Sequence, residues 1–444
     1  MELHGLLLLS LLLFSFHSIP CFGNSEEDAG LYNIMEHPKY YGAFDGEENA
    51  TDRNPDGFIT QSVDEVDGIA ASEVVNVADY GAKGDGSDAT EAFKKAWLKV
   101  CSSPSSATLM VPAKKSYYLK PTTFSGPCKS EVTVMIKGMI KAPPHRSAWD
   151  GTNRRHWILF NGVSNLQVTG GGIINGNGQI WWKNSCKINK SLPCKNAPTA
   201  ITFYGSNNLV VENLKVKNSQ QIHVQFEKCT NVRASHLSIT APENSPNTDG
   251  IHITSTQNIN LDHCNIGTGD DCISIVDGAQ TVKATNIICG PGHGISIGSL
   301  GAKNSEDHVS DVIIDTAKLT STTNGLRIKT WQGGSGYAKH IRFQNVYMKN
   351  VQNPIIIDQN YCDSKEPCHQ QKSAVHVSDV VYNNIKGTSA SDVAIDFECS
   401  KSVPCQGIVL QAINLVKENG GSAKSICKNV NLTKKGTVIP PACA

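Results

Sequence analysis

Four short polar stretches carry residues able to do chemistry: Asn247–Gly250 (NTDG), Gly269–Cys272 (GDDC), Gly292–Gly294 (GHG) and Arg327–Lys329 (RIK). Each is followed or interleaved by an apolar alternation, in "GIHIT", "CISIV", "GISIG" and "GLRIK". Taken singly they are unremarkable. GDD is a common turn, Gly-His-Gly a tight bend, RIK a solvated strand face, and Asn247 suits an Asx turn. Their spacing changes the reading. The first apolar residues, Ile251, Ile273, Ile295, Leu326 and Ile355, lie 22, 22, 31 and 29 residues apart. Two positions before the first three stand Asp249, Asp271 and His293.

A unit of about 22 residues built from short strands is the mark of a solenoid, here a parallel β-helix. A second series keeps the rhythm: Leu209, Val232, Ile259, Val282, Val309 and Ile341. One coil cannot bury its own apolar residues, and stacking joins them into one core. Successive coils lie about 4.8 Å apart, so Asp249, Asp271 and His293 should form a ledge, with Asp270 beside them. One coil further, Leu326 and Ile328 inward would turn Arg327 and Lys329 outward. Crowded carboxylates split into a protonated and an ionised member, which is what hydrolysis of a glycosidic bond requires. Two cations nearby suit a substrate bearing carboxylates.

The positioning elements follow from that plan. The fold class is all-β, a single-stranded parallel β-helix spanning 76–444. Asp88–Cys101 reads as an amphipathic helix with Asp88 as N-cap, closing the first coil. The last segment, with two cysteines and paired prolines, reads as a stapled terminal coil. The opening run "MELHGLLLLSLLLFSF" reads as a secretory signal ending near Gly23. Residues 24–75 hold 13 acidic side chains against 2 basic ones, whereas 76–444 carry a balance of +12. The acidic segment would be a pro-region or a tail, and the basic body points to a polyanion. Fifteen cysteines fit an oxidising compartment. With Cys21 lost in the signal, the even count of fourteen left could all pair, and Cys186/Cys194, Cys362/Cys368 and Cys399/Cys405 read as loop staples. Sequons at Asn49, Asn189 and Asn431 agree with export and glycosylation.

The four motifs in this order resemble the plant polygalacturonases of glycoside hydrolase family 28. "NVADYGAKGDG" (76–86), "ING" (174–176), "WW" (181–182) and "PIIIDQNYC" (354–362) extend the resemblance over nearly everything after residue 75. It implies a right-handed β-helix that hydrolyses α-1,4-galacturonosyl linkages of de-esterified pectin with inversion. Asp270 would be the general acid, Asp249 and Asp271 would share activation of water, and His293 would support the acid. Asn247, Arg327, Lys329 and Tyr361 would bind galacturonate. The resemblance implies neither a metal nor an organic cofactor. It implies a secreted, cell-wall protein, expected to be a monomer, whose partners are polygalacturonate and protein inhibitors in the wall, not nucleic acid or membrane. Endo action is preferred on the C-terminal half. The alternatives are an exo-acting enzyme and a non-catalytic pectin-binding β-helix. A calcium-dependent lyase on a similar fold is the mechanistic contrast.

Overall fold

The computed structural model describes residues 72–443, except Thr152 and 365–367. The expected signal (1–23), the acidic segment but for its last residues, Cys21 and Asn49 therefore lie outside the described residues. From Glu73 onward the chain winds as a right-handed parallel β-helix. All strand pairs are parallel, and they collect into an 11-stranded face and a 20-stranded sheet that makes up the rest of the wall. Early coils carry three short strands, as in Ile251–Thr254, Gln257–Asp262 and Asn265–Gly267. From Gln280–Cys289 the second and third merge into one long strand.

The expected register holds on the 11-stranded face. Ile251 pairs with Ile273, Ile273 with Ile295, Ile295 with Leu326 and Leu326 with Ile355. All five are fully buried. Between them runs an outward column, His252–Ser274–Ser296–Arg327. One irregularity matters for the site. Between Ile297/Ile328 and Leu300/Thr330 two residues, Gly298 and Ser299, face the single residue Lys329. Such a bulge re-aims a side chain. A Cβ on Gly298, whose φ is 104°, would meet the Lys329 carbonyl at 2.1 Å, so glycine is what lets the strands close around the lysine.

The second series needs one correction. Leu209, Val232, Ile259 and Val282 pair in order, but Val282 faces Val312, and Val312 faces Ile341. Val309 pairs instead with Ala338. The physical marker is the preceding residue. Asn208, Asn231, Asn258, Thr281, Asp311 and His340 all have φ between 53° and 59°, and each stands immediately before the inward residue of its coil. That left-handed step turns the chain from one face to the next, and Asn and Asp adopt it most readily after glycine. The asparagines also bond from coil to coil, Asn258 donating to Asn231 at 2.7 Å and Asn231 to Asn208 at 3.2 Å.

The core is a stack. Phe160, Phe203 and Phe226 lie ring on ring at 5.4 and 5.5 Å, close to the coil spacing. The capping helix spans Thr90–Cys101 and seats Phe93, Ala96, Trp97 and Val100 on the first coils. Trp97 packs 5.2 Å from Phe124 and donates from Nε1 to the Ser125 carbonyl. Its N-cap position falls on Ala89 rather than Asp88. Asp88 Oδ1, one residue earlier, accepts from the Thr90 backbone N–H at 3.0 Å and its hydroxyl.

Among the described residues there are six disulfides: Cys101–Cys128, Cys186–Cys194, Cys272–Cys289, Cys362–Cys368, Cys399–Cys405 and Cys427–Cys443. The three expected staples and the stapled last coil are among them. Full pairing is not: Cys229 and Cys264 are buried free thiols. Each packs in the apolar interior and donates weakly to backbone carbonyls, as a small core residue does.

Removing the middle ring of the stack tests this account of the core. Phe203→Ala should cost about 3–5 kcal/mol in denaturant-induced unfolding. An unchanged midpoint would mean the rings are not coupled.

Candidate active site

The ledge forms where three loops enter the 11-stranded face. Asp249 precedes strand Ile251–Thr254, Asp270 and Asp271 precede Ile273–Ile275, and His293 precedes Ile295–Leu300. The Gly-His-Gly bend is required by contact. A Cβ on Gly294, at φ 83°, would sit 2.0 Å from the Asn324 carbonyl. His293 is thereby pressed back on Asp270, its N–H donating to the Asp270 carbonyl at 2.8 Å. All four residues line one cavity of about 640 Å³, together with Asn247, Arg327, Lys329 and Tyr361. The structure thus brings together every residue the sequence singled out. It also adds His252, Ser274, Lys187 and Asp363 to the wall.

The three carboxylates are held differently. Asp271 is 2% exposed; Oδ1 accepts from Ser296 Oγ at 2.7 Å and Oδ2 from Lys329 Nζ at 2.8 Å. Burial alone would push the Lys329 ammonium down, but the Asp271 charge and hydrogen bond outweigh it and hold it above the ordinary lysine value. Asp270 Oδ1 lies 3.0 Å from His293 Nδ1. Burial acts to raise the Asp270 carboxyl, yet the His293 hydrogen bond and charge, then Lys329, bring it below the usual value. The same hydrogen bond raises His293 above 6.5. Asp249 has no cation of its own. Burial first, then the charges of Asp270 and Asp271, raise it well above the ordinary range, with Ser274 and Lys329 opposing.

Asp249 is positioned by two histidines. His223 is buried and His252 partly so, and desolvation lowers both to about 4, so both are neutral imidazoles at neutral pH. His223 Nε2 accepts from the Ser219 N–H, leaving Nδ1–H to donate to the Asp249 carbonyl at 2.9 Å. Ser274 Oγ donates to Asp249 Oδ2 at 2.7 Å and lies 2.8 Å from His252 Nδ1. A hydroxyl has one hydrogen to give. With Asp249 ionised, His252 Nδ1–H therefore donates to Ser274. Ser274 and Ser296 do matching work on consecutive coils, each for the aspartate 25 residues before it. The sequence reading passed over them, although both stand between inward isoleucines on the same column.

Arg327 and Tyr361 face the same space. The guanidinium lies 5.1 Å from the Tyr361 ring centre and 3.5 Å from Asp358 Oδ2. Its Nε is buried and has no hydrogen-bond partner among the described residues. A donor left in this way favours an incoming acceptor. Asp270, Asp271 and His293 offer three metal-ligating atoms within 4.8 Å of one another. They are poorly suited to a cation, since Lys329 already neutralises Asp271 and His293 already engages Asp270. Calcium takes six to eight oxygens.

Crowding at Asp249 gives a test with a definite sign. A carboxyl raised in the folded state favours folding while protonated, and stability falls as pH rises from its unfolded value through the folded one. Asp249→Asn should therefore unfold at higher denaturant than the parent at pH 7, with the difference closing below about pH 4. Equal curves at both pH values would refute the crowding.

The comparisons with known proteins agree with this geometry. The sequence profile of glycosyl hydrolases family 28 matches residues 101–438. A polygalacturonase of Persea americana is 60% identical over 356 residues, covering 80% of this chain and 77% of its own. Polygalacturonase-2 of Solanum lycopersicum is 57% identical over 382 residues, covering 85% and 82%. Among solved structures, the polygalacturonase from Erwinia carotovora superposes with a TM-score of 0.65 at 25% identity, covering 84% of this chain and all of that one. A profile match over most of the chain, relatives this close and a ledge of three carboxylates lead to one statement: the chain belongs to family 28 of the glycosyl hydrolases, and it is a glycoside hydrolase.

Proposed function

We propose that the chain is a secreted polygalacturonase that cuts inside the homogalacturonan of de-esterified pectin. The observation that carries the reading is the Asp270–His293 pair set among Asp249, Asp271 and the unpartnered Arg327 Nε. Support for the substrate also comes from the polygalacturonase relatives. Endo action is supported by the cleft, which continues past the ledge into a second cavity sharing four of its lining residues. A bound polymer need not end at the scissile bond. Export, with action in the cell wall, is supported by the apolar N-terminal run and the six disulfides.

The roles follow from proton positions. His293 and Asp270 together hold one proton on a 3.0 Å hydrogen bond. In the resting site it lies on His293, which keeps Asp270 low. As the glycosidic C–O bond breaks, that one proton passes from His293 through Asp270 to the leaving oxygen, which leaves Asp270 ionised and His293 neutral. On the other side water loses a proton to Asp249 or Asp271 and its oxygen bonds to the anomeric carbon, so the product is inverted. Asp249 must be ionised to serve, and Ser274 with His252 steadies that form. Arg327, on the cavity wall, attracts a substrate carboxylate with its guanidinium charge. Lys329, committed to Asp271, acts on the substrate as a nearby charge. Asn247 and Tyr361 line the same cavity and complete the substrate contacts.

A pH–rate profile should then be bell-shaped. Activity should rise as Asp249 loses its proton and fall as pH passes the raised His293 value. His293→Gln should lower kcat and move the falling limb to lower pH, because Asp270 must then hold the proton alone; a profile unchanged by that substitution would end His293's role. Product sizing on de-esterified polygalacturonate, with chelator present, tests the reaction. Oligomers of many lengths appearing early, with no unsaturated ends, are expected. Monomer alone would make it exo-acting, and unsaturated ends a lyase. In Asp270→Asn hydrolysis should drop by at least about 10²-fold while the polymer still binds. Undiminished release of reducing ends would rule Asp270 out as the acid.

A further inference from the structure

The merged strands of the 20-stranded sheet carry an order that the carboxylate ledge does not need. Four consecutive coils pass there through Gln280–Cys289, Glu306–Thr320, Ser335–Val351 and His376–Ser389. Two outward columns cross them. One reads Lys283, Ile313, Arg342, Val381, and the other Ile288, Lys318, Tyr347, Lys386. Each coil therefore presents one cation and one apolar side chain, and the two exchange columns at every step. The cations advance along the axis by the coil spacing of about 4.8 Å. They zigzag across a corner made by the left-handed residues Asn286, Thr316, Asn345 and Asn384.

All four cations are exposed, and none is in an ion pair among the described residues. Ile288, Ile313 and Tyr347 are 50%, 37% and 43% exposed, three of the seven large apolar side chains left in water on the described surface. One exposed isoleucine means nothing. Three large apolar groups set among unpaired cations, one to a coil, mark a surface for a partner. The nearby carboxylates are already engaged. Asp315, at the corner, accepts from Gln344 Nε2 at 2.8 Å and from Asn345 Nδ2 at 2.7 Å. Asp311 and Asp379, at the next corner, lie 3.3 and 3.7 Å from the two ring nitrogens of His340.

The pattern spans about 14 Å along the axis, so it fits a long partner bearing anions at intervals with apolar surface between them. A polyuronate is such a chain: each sugar carries one carboxylate and a C–H face that lies against isoleucine or tyrosine. We propose that this outer face is a second, non-catalytic binding surface for a polyuronate chain, laid along the solenoid axis away from the ledge. The proposal rests on the polygalacturonase reading and adds that the enzyme holds one chain of the matrix while the ledge cuts another.

The test compares the parent with a combined variant, Lys283→Ser, Lys318→Ser, Arg342→Ser and Lys386→Ser, for binding to gel-immobilised polygalacturonate. Asp270→Asn in both arms keeps the gel uncut, and saturating galacturonate trimer fills the cleft. Affinity should fall at least about tenfold, the sum of four weak exposed contacts, and its dependence on salt should flatten. With Asp270 restored, kcat and KM on the trimer should match the parent. Unchanged affinity for the gel, or an equal loss on the trimer, overturns the proposal. Tyr347→Ser alone keeps every charge; it should weaken binding to polygalacturonate several-fold and leave binding to polyphosphate unmoved. An unmoved polygalacturonate affinity in that variant would overturn the assignment to a sugar chain. A parent that binds through this face yet cuts neither polymer nor trimer would sink the polygalacturonase reading and leave the surface standing.

Discussion

Everything in this molecule depends on the parallel register, which sets each residue of a coil against its counterpart in the next. The register forces Ile251, Ile273 and Ile295 into one buried column. By the same step it brings aspartates from adjacent coils closer than carboxylates would settle in water. The repulsion is therefore not an accident of the site. It is imposed by backbone pairing that the whole core stabilises, and three crowded aspartates can persist because unstacking one coil would expose the apolar residues of two.

Given that constraint, the neighbours decide what each carboxylate does. Asp271 receives an ammonium and a hydroxyl, Asp270 an imidazole, and Asp249 a hydroxyl alone. Three chemically identical groups become three different ones. The bulge at Gly298–Ser299 belongs to this logic. It sits opposite Lys329, where the lysine must reach back to Asp271. The family resemblance names Asp270 as the acid, whereas the resting electrostatics place the most readily protonated carboxyl at Asp249. The two views meet at His293, which stores the proton that Asp270 delivers.

Much of this was legible in the sequence where coils carry no insertion. The two intervals of 22 residues joining Ile251, Ile273 and Ile295 already place the ledge. The reading slipped where a loop lengthened the coil. Val309 and Val312 are both fully buried, and apolar pattern alone cannot choose between them. Asp311 could have, because an Asn, Asp or other left-handed residue precedes the inward position in the coils before and after it. The unpaired Cys229 and Cys264 were missed for a related reason: cysteine in a core is chemically silent, and an even count invites pairing. The column of Ser274 and Ser296 was visible as polar residues between isoleucines, but a serine has no meaning until its carboxylate is in reach.

The bridge between Lys187 and Asp363 was beyond sequence reasoning altogether, since nothing announces a contact between residues 176 apart in sequence. An acidic ledge and an acidic substrate are nevertheless compatible. Hydrolysis needs carboxylates at the reacting bond, and carboxylates there repel a polyuronate. A solenoid can separate the two demands around its circumference, because outward residues on one face can change without altering the register of another. The zigzag of Lys283, Lys318, Arg342 and Lys386 lies on such a face. Changing it would alter how a polymer is held while leaving the 4.8 Å ladder and its proton chemistry where they are.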